Sequence, residues 1–262
     1  METKQFTVHI DGELLEVASA VREADDDLLF FIHGLSCSKD SFRSFWNRPD
    51  FMQNSALAID LPGFGDSSKP DVFSYTMHDQ ARVCTEILTM YSDKRLHLVT
   101  HSMGCAVALL LPDGILNTTS TFACIEGNLI GADCGVVSRR VISVIRETFE
   151  REEFQGLKNL LDLGEGYYAM GSTSPNAMYK SAESLVTWSD GNELLKKYLA
   201  LPCRKMYFYG ERNASHPTLR FLEGIPKVGI RDSGHFPMTD NPDDFYSELH
   251  RFILERIVPA CR

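Results

Sequence analysis

Short runs of apolar residues recur along the chain, and each is long enough to form one buried strand. Most of these runs end in a turn that contains glycine, proline or a polar residue. The strands predicted in this way are Leu28–Ile32, Ala56–Ile59, Leu96–Val99, Thr121–Glu126, Lys205–Tyr209 and Lys227–Arg231. The polar residues that directly follow these strands are therefore the first candidates for functional side chains.

The pattern changes between residues 127 and 201, where apolar residues recur at the spacing of amphipathic helices. Asn241 then begins a last helix as its N-cap, with Pro242 at the first helical position. The helices predicted between the strands are Val136–Phe154, Phe154–Leu163, Ser174–Leu185 and Gly191–Leu199. A helical segment is thus expected to interrupt the series of strands.

Ser102 lies at an abrupt junction between a strand and a helix. The apolar strand Leu96–Val99 precedes it, and a segment rich in alanine and leucine begins at Gly104. A serine at such a turn presents its hydroxyl above the end of the sheet and can act as a nucleophile. The backbone amide of Met103 would begin the helix and could donate to an oxyanion. The competing interpretation is a serine that only caps the helix.

Two upstream turns support the catalytic interpretation. His33-Gly34 follows the first predicted strand, and the glycine allows the backbone amide of Leu35 to point inward as a second oxyanion donor. The strand Ala56–Ile59 is followed by a turn rich in proline, glycine and serine. Each turn alone is weak evidence for a catalytic site, and only the two turns together with Ser102 support one.

The chain resembles the α/β-hydrolase superfamily from about His33 to its last helix. The motifs occur in the superfamily's order and are His33-Gly34, Asp60–Ser67, Thr100-His-Ser-Met-Gly104 and Asp232–Pro237. The resemblance implies an α/β fold with a doubly wound, mostly parallel sheet. It also implies a core of residues 1–127 and 202–262 with an inserted helical cap of residues 128–201. Thr100 departs from the G-x-S-x-G pattern, and its extra bulk is expected to displace the strand slightly.

His235 is the base that a serine nucleophile requires. A serine hydroxyl needs an imidazole within hydrogen-bonding reach to be activated. His235 lies in the segment Asp232-Ser-Gly-His-Phe-Pro237, just beyond the last predicted strand. The superfamily's chain order of serine, acid and histidine points to the same residue. His33 and His101 are expected to brace the backbone around the pocket instead.

The acid of the triad is less clearly marked. Asn213 stands where most relatives have an aspartate, and it cannot stabilise an imidazolium by charge. Glu126 is the preferred candidate, because some haloalkane dehalogenases of the superfamily carry their acid at this place. Glu211 is the alternative acid, and Asp232 is a weaker candidate because it is close to His235 in sequence. Glu126 could instead form an ion pair with Arg139 or Arg140 of the cap.

The resemblance implies a serine hydrolase that cleaves a small or medium carboxylic ester, a thioester or a lactone through an acyl-enzyme. One alternative is a carbon–carbon bond hydrolase of ring-cleavage products, which would call for an arginine in the pocket. The cap offers Arg139, Arg140, Arg146 and Arg151 for that purpose. The other alternative is a non-catalytic ligand receptor on the same fold. An apolar pocket could be lined by Phe149, Leu160, Leu161, Tyr167, Tyr168, Met170, Met178, Tyr179 and Trp188.

Composition excludes several other classes of function. The net charge of -10 argues against nucleic-acid binding, which needs clustered lysine and arginine. The seven cysteines show neither a metal-ligand spacing nor a secreted disulfide framework, so we expect no metal and no cofactor. No signal peptide or membrane span is evident, which favours a cytoplasmic enzyme acting on a small molecule. The sequence leaves both a monomer and a homodimer open, and Cys37 is the thiol expected to react.

Overall fold

A computed structural model describes residues 1–162 and 167–254. The strands in this part of the chain are β1 (Glu2–Ile10), β2 (Glu13–Arg22), β3 (Asp27–Ile32), β4 (Ser55–Ile59), β5 (Arg95–His101), β6 (Thr121–Ile125), β7 (Arg204–Gly210) and β8 (Lys227–Ile230). They form one eight-stranded sheet in the order β1-β2-β4-β3-β5-β6-β7-β8. All strands from β3 to β8 pair in parallel, whereas β2 is antiparallel to both β1 and β4. The predicted mostly parallel sheet is confirmed.

The hairpin of β1 and β2 is the part of the sheet for which no strand bounds were predicted from the sequence. Phe6, Val8 and Ile10 alternate with exposed residues along β1, as expected for a strand with one buried face. This alternation was a usable signal. The hairpin matters for the fold because β2 covers the edge of β4 that the parallel strands leave open.

Helices cover both faces of the sheet, as the doubly wound prediction requires. One apolar core contains β1, α1 (Met77–Thr89), α2 (Met103–Leu109) and much of the helical segment after β6. The other core contains α10 (Pro237–Asp240), α11 (Pro242–Leu254) and a 3-10 helix, Lys39–Asn47. The remaining helices are α3 (Asp113–Leu116), α4 (Gly135–Val141), α5 (Arg146–Thr148), α6 (Phe154–Asp162), α7 (Pro175–Asp190), α8 (Glu193–Ala200) and α9 (Thr218–Phe221).

The chain between β6 and β7 is helical in its described part, with α4 to α8 and short 3-10 and π-helical turns. The single helix predicted for Val136–Phe154 is wrong, because the chain leaves the helix after Val141 and Ile145 is extended. There the Ser143 hydroxyl bonds to the carbonyl oxygen of Arg140, a local bond that competes with helix continuation. Position 163 of the predicted second helix lies outside the described residues, and the domain boundaries remain a prediction.

Asp60 connects two turns at the carboxyl edge of the sheet. Its carboxylate accepts hydrogen bonds from the backbone amide of Lys39 at 2.6 Å and from the Lys39 ammonium at 2.8 Å. It also accepts one from the backbone amide of Asp66 at 2.8 Å. A buried charge of this kind is tolerated only when it is paired and fully hydrogen-bonded. The motif Asp60–Ser67 thus fixes the segment that follows Gly34.

None of the helices in the described ranges combines the length and the apolar character that a membrane crossing needs.

Candidate active site

Ser102 occupies a strained turn between β5 and α2. Its backbone has φ 51° and ψ -120°, a conformation that non-glycine residues rarely adopt. The turn lets α2 approach β3 so closely that a Cβ on Gly104 would lie 2.3 Å from the carbonyl oxygen of Ile32. Thr100 is accommodated in register with Cys124, and its hydroxyl donates to the carbonyl of Ala123 at 3.0 Å. Thr100 therefore fits without interrupting the pairing of β5 with β6.

Met103 and Leu35, the predicted sources of the oxyanion donors, lie just after β5 and β3. The amide of Met103 is the first of α2 and therefore has no partner within the helix. Leu35 follows His33-Gly34 at the end of β3 and lines the same cavity as Ser102. Gly34 is needed here, because a Cβ would lie 3.0 Å from both the Ser102 Cβ and the His101 ring. A shared cavity for Leu35 and an amide of Met103 that is free of helical bonding are what a pair of oxyanion donors would require.

His235 and Glu126 face each other across the carboxyl ends of β6 and β8. Nδ1 of His235 lies 3.6 Å from Oε2 of Glu126, whose side chain is only 8% exposed. The other oxygen, Oε1, accepts a hydrogen bond from the backbone amide of Gly210 at 2.7 Å. Glu126 itself has φ 46°, so the chain turns sharply after β6. The carboxylate is held where it can orient and stabilise a protonated His235.

Asn128 is a site residue that the sequence analysis missed. The hydroxyl of Ser102 lies 3.3 Å from its Oδ1 and is hydrogen-bonded to it. In the described part of the chain, no hydrogen bond joins Ser102 to His235. Catalytic hydrogen bonds are often long before substrate binds. The nearby strand end at Glu126 was the available signal, because residues just after β6 lie at the same edge of the sheet.

The competing acids lie elsewhere. Glu211 and Asp232 are exposed and belong to the loops after β7 and β8. Asn213 lines the cavity but carries no charge. Arg139 forms its ion pair with Asp190, so the alternative of an arginine partner for Glu126 finds no support. Among the candidates, the geometry brings Glu126 alone to His235.

His101 supports the histidine loop from beneath. Its Nε2 donates to the carbonyl oxygen of His235 at 2.8 Å, and its ring packs on Phe236. Burial holds the pKa of His101 well below its usual range, and the neighbouring His235 acts in the same direction. His33 likewise bonds backbone, since its Nε2 accepts from the Leu61 amide at 2.9 Å. Both histidines brace the pocket, as the sequence predicted.

These residues surround a cavity of about 380 Å³. That volume is near the lower end of the range for small-molecule sites, roughly 300–1,000 Å³. The lining combines apolar side chains with the candidate triad and several other polar residues. The lining residues outside the triad are Gly34, Leu35, Cys37, His101, Asn128, Asp133, Cys134, Gly135, Val137, Ser138, Tyr168, Tyr207, Asn213, His216 and Phe236.

Most of the cap residues predicted to line the pocket lie elsewhere. Of the nine, only Tyr168 is in the described lining of the cavity, whereas Phe149 and Met178 are buried among helices. Cys37 is also buried, and this burial raises the pKa of its thiol to about 12. The prediction that Cys37 is the thiol that reacts is therefore not supported, because the reactive species is the thiolate.

Residues 29–248 match the model of a family described as "Alpha/beta hydrolase family". Mouse protein ABHD8 is 26% identical over 278 residues, which cover 95% of this chain and 60% of that protein. The probable lysophospholipase BODYGUARD 3 of Arabidopsis thaliana is 38% identical over 96 residues. That match covers 34% of this chain and 18% of the relative. The chain therefore spans less than two thirds of these relatives.

The fold resembles that of a solved thermophilic esterase from Thermogutta terrifontis. The TM-score is 0.73 at 18% sequence identity, over 97% of this chain and 98% of the esterase. At this identity the likeness establishes the fold alone.

Proposed function

The chain belongs to the alpha/beta hydrolase family, and we propose that it is a serine hydrolase that cleaves a small or medium carboxylic ester through an acyl-enzyme. The observation that carries the proposal is the strained Ser102, which shares one cavity with His235 and Glu126. A serine that only capped a helix would not need φ 51° or a cavity above it. The volume of about 380 Å³ favours a compact substrate.

In the proposed reaction, the Ser102 hydroxyl replaces its hydrogen bond to Asn128 with one to His235. The hydroxyl oxygen then attacks the carbonyl carbon of the ester. His235 accepts the hydroxyl proton, and Glu126 stabilises the resulting imidazolium. The amides of Leu35 and Met103 donate to the oxyanion of the tetrahedral intermediate. His235 then gives the proton to the departing alcohol. His235 next deprotonates a water molecule, whose oxygen attacks the acyl carbon. As the bond between that carbon and the Ser102 oxygen breaks, His235 returns the proton to Ser102, and the acid leaves.

The arginines of the cap favour ester cleavage over carbon–carbon bond cleavage. Arg139 is paired with Asp190, and Arg146 lies 3.5 Å from both Glu147 and Glu150. Within residues 1–162 and 167–254, no arginine or lysine lines the cavity. A carboxylate-bearing ring-cleavage product would therefore lack the expected cationic partner.

The proposal is tested with a series of p-nitrophenyl esters from acetate to dodecanoate. We expect steady turnover, with kcat/KM at least tenfold higher for butanoate than for dodecanoate. Ser102→Ala should lower turnover by at least a thousandfold, whereas the exposed Ser143→Ala serves as the matched control. Because one relative is named a probable lysophospholipase, a long-chain lysophosphatidylcholine is included as a contrast.

Equal turnover by the parent and Ser102→Ala would overturn the proposal. Tight binding of the esters without turnover would identify a ligand receptor instead. Turnover of butanoate thioesters or of a γ-lactone in place of the open-chain esters, abolished in Ser102→Ala, would keep Ser102 as nucleophile and change the substrate class.

A further inference from the structure

A second imidazole and carboxylate pair lines the same cavity. His216 lies in the loop between β7 and α9, and Asp133 lies in the 3-10 turn Gly131–Cys134 before α4. Nδ1 of His216 is 3.3 Å from Oδ1 of Asp133. The His216 side chain is 34% exposed, whereas that of Asp133 is only 4% exposed. The reaction proposed above uses neither residue.

Asp133 is rigidly held. Its Oδ2 accepts hydrogen bonds from the backbone amides of Leu129 and Ile130, each at 2.7 Å. Its Oδ1 accepts a hydrogen bond from the hydroxyl of Thr218. Burial raises the pKa of Asp133, but these donors and His216 all favour its charged form. The position of the carboxylate is therefore fixed before any ligand enters.

The Asp133 carboxylate determines which ring nitrogen of neutral His216 carries the proton. A negative charge beside Nδ1 favours the tautomer with its proton on that nitrogen. Nε2 of the neutral ring is then a hydrogen-bond acceptor, and it has no hydrogen-bond partner among the described residues. His216 can consequently offer the cavity a fixed acceptor.

The charges around the cavity indicate whether His216 binds a hydroxyl group or an anion. Glu126 and Asp133 both line it, and the described lining contains no lysine or arginine. The whole chain carries a net charge of -10. An anionic ligand would be repelled, whereas a neutral hydroxyl can donate to Nε2 without any charge penalty.

We propose that His216, positioned by Asp133, is a hydroxyl-binding subsite, and that the preferred substrates are esters with a free hydroxyl group on their alcohol or acyl part. The substrate class rests on the proposed esterase function, but the binding of the hydroxyl does not. A site that hydrogen-bonds a substrate hydroxyl discriminates against the analogue that lacks it, because the acceptor is then left unpaired.

The test compares matched ester pairs on the parent and on His216→Phe. Glyceryl 1-butanoate against propyl butanoate places the hydroxyls on the alcohol part. Ethyl 3-hydroxybutanoate against ethyl butanoate places one on the acyl part. The parent is expected to show about a tenfold preference in kcat/KM for the hydroxylated member of at least one pair. His216→Phe should bring that preference close to one.

The preference ratio is the readout, because a general loss of folding or activity lowers both members of a pair alike. His216→Gln retains a hydrogen-bonding side chain and should keep part of the preference. His78→Phe, at a side chain that is 66% exposed and outside the cavity lining, is the matched control and should keep the parent ratio. No preference by the parent in either pair, or an unchanged ratio in His216→Phe, would refute the subsite.

Binding to Ser102→Ala, measured by calorimetry with the same pairs, separates the two proposals. Preferential binding of the hydroxylated ester without turnover by the parent would support the subsite and contradict the esterase function. Turnover without any preference would support the esterase function and overturn the subsite.

Discussion

Four of the seven non-glycine residues with positive φ in the described part of the chain follow strands at the carboxyl edge of the sheet. Ser36, Ser102, Glu126 and Asp232 have φ values of 55°, 51°, 46° and 54°, and each follows a strand at the carboxyl edge of the sheet. Such conformations persist only where the surrounding structure enforces them, and they are common at functional sites. At Ser102 and Glu126 the turn directs a polar side chain to the cavity. The strain is therefore part of how the site is built.

The role of Glu126 leads to a direct prediction. Glu126→Gln should lower kcat for ester hydrolysis by at least a hundredfold, because a neutral amide cannot stabilise the imidazolium of His235. Glu211→Gln, at an exposed position after β7, should stay within about twofold of the parent. Steady-state kinetics on p-nitrophenyl butanoate checks both. Comparable rates for Glu126→Gln and the parent would refute the assignment of the acid.

His101 predicts how stability depends on pH. Because its pKa is depressed in the folded protein, the unfolded chain takes up a proton below about pH 6.5 that the folded protein does not. Stability should therefore fall as the pH falls, by up to about 2 kcal/mol at pH 5 from this residue. Urea unfolding at pH 7.5 and pH 5.0 should show a smaller fall for His101→Gln. An equal fall in both proteins would contradict this role.

The motif residues could be predicted from sequence, but their partners could not. Ser102, His235 and Leu35 occur in short patterns whose chemistry is local. Asn128 and His216 occur in no such pattern, and their roles arise from loops that approach only in the folded chain. Cys37 was predicted to react from its place near a motif. Its reactivity also requires exposure to solvent, and the folded chain buries it.

The close approach of α2 to β3 makes Gly104 sensitive to any side chain. A Cβ there would lie 2.3 Å from the carbonyl oxygen of Ile32 and 2.8 Å from that of His33. Gly104→Ala should therefore lower the free energy of unfolding by about 1–3 kcal/mol, the usual cost of overpacking. Gly114→Ala in α3, where a Cβ would meet no atom of another described segment within 4 Å, should leave the free energy of unfolding unchanged or slightly higher. Chemical unfolding of both variants checks this, and equal effects would contradict it.

Strands and helices with a clear pattern of apolar residues could be predicted from the sequence, but breaks within them could not. The central strands β3 to β6 agree with their apolar runs, because buried parallel strands need nearly continuous apolar sequence. Strands β7 and β8 also lie where they were predicted, although they are only partly buried. Helices α7 and α8 also lie where they were expected. The break after Val141 depends on a side chain bonding to the backbone, which periodicity does not register. The bounds of the first hairpin were not predicted, despite the alternation in β1.

The strand order brings the candidate residues together. Because β3, β5, β6, β7 and β8 are neighbours and parallel, the turns that follow them meet at one edge of the sheet. These turns carry Leu35, Ser102, Glu126, Asn213 and His235, and the segment between β6 and β7 adds Asp133 and Tyr168. The polar groups of distant segments thus converge on one cavity, which is the arrangement that acyl transfer requires.

Intact-mass analysis after treatment with a fluorophosphonate tests the activation of Ser102 most directly. The reagent forms a covalent bond with an activated serine, so the folded parent should gain the mass of a single adduct. Ser102→Ala should gain none, and Ser143→Ala should label like the parent. The absence of an adduct on the folded parent, or an adduct that persists in Ser102→Ala, would contradict the account of Ser102 as the nucleophile.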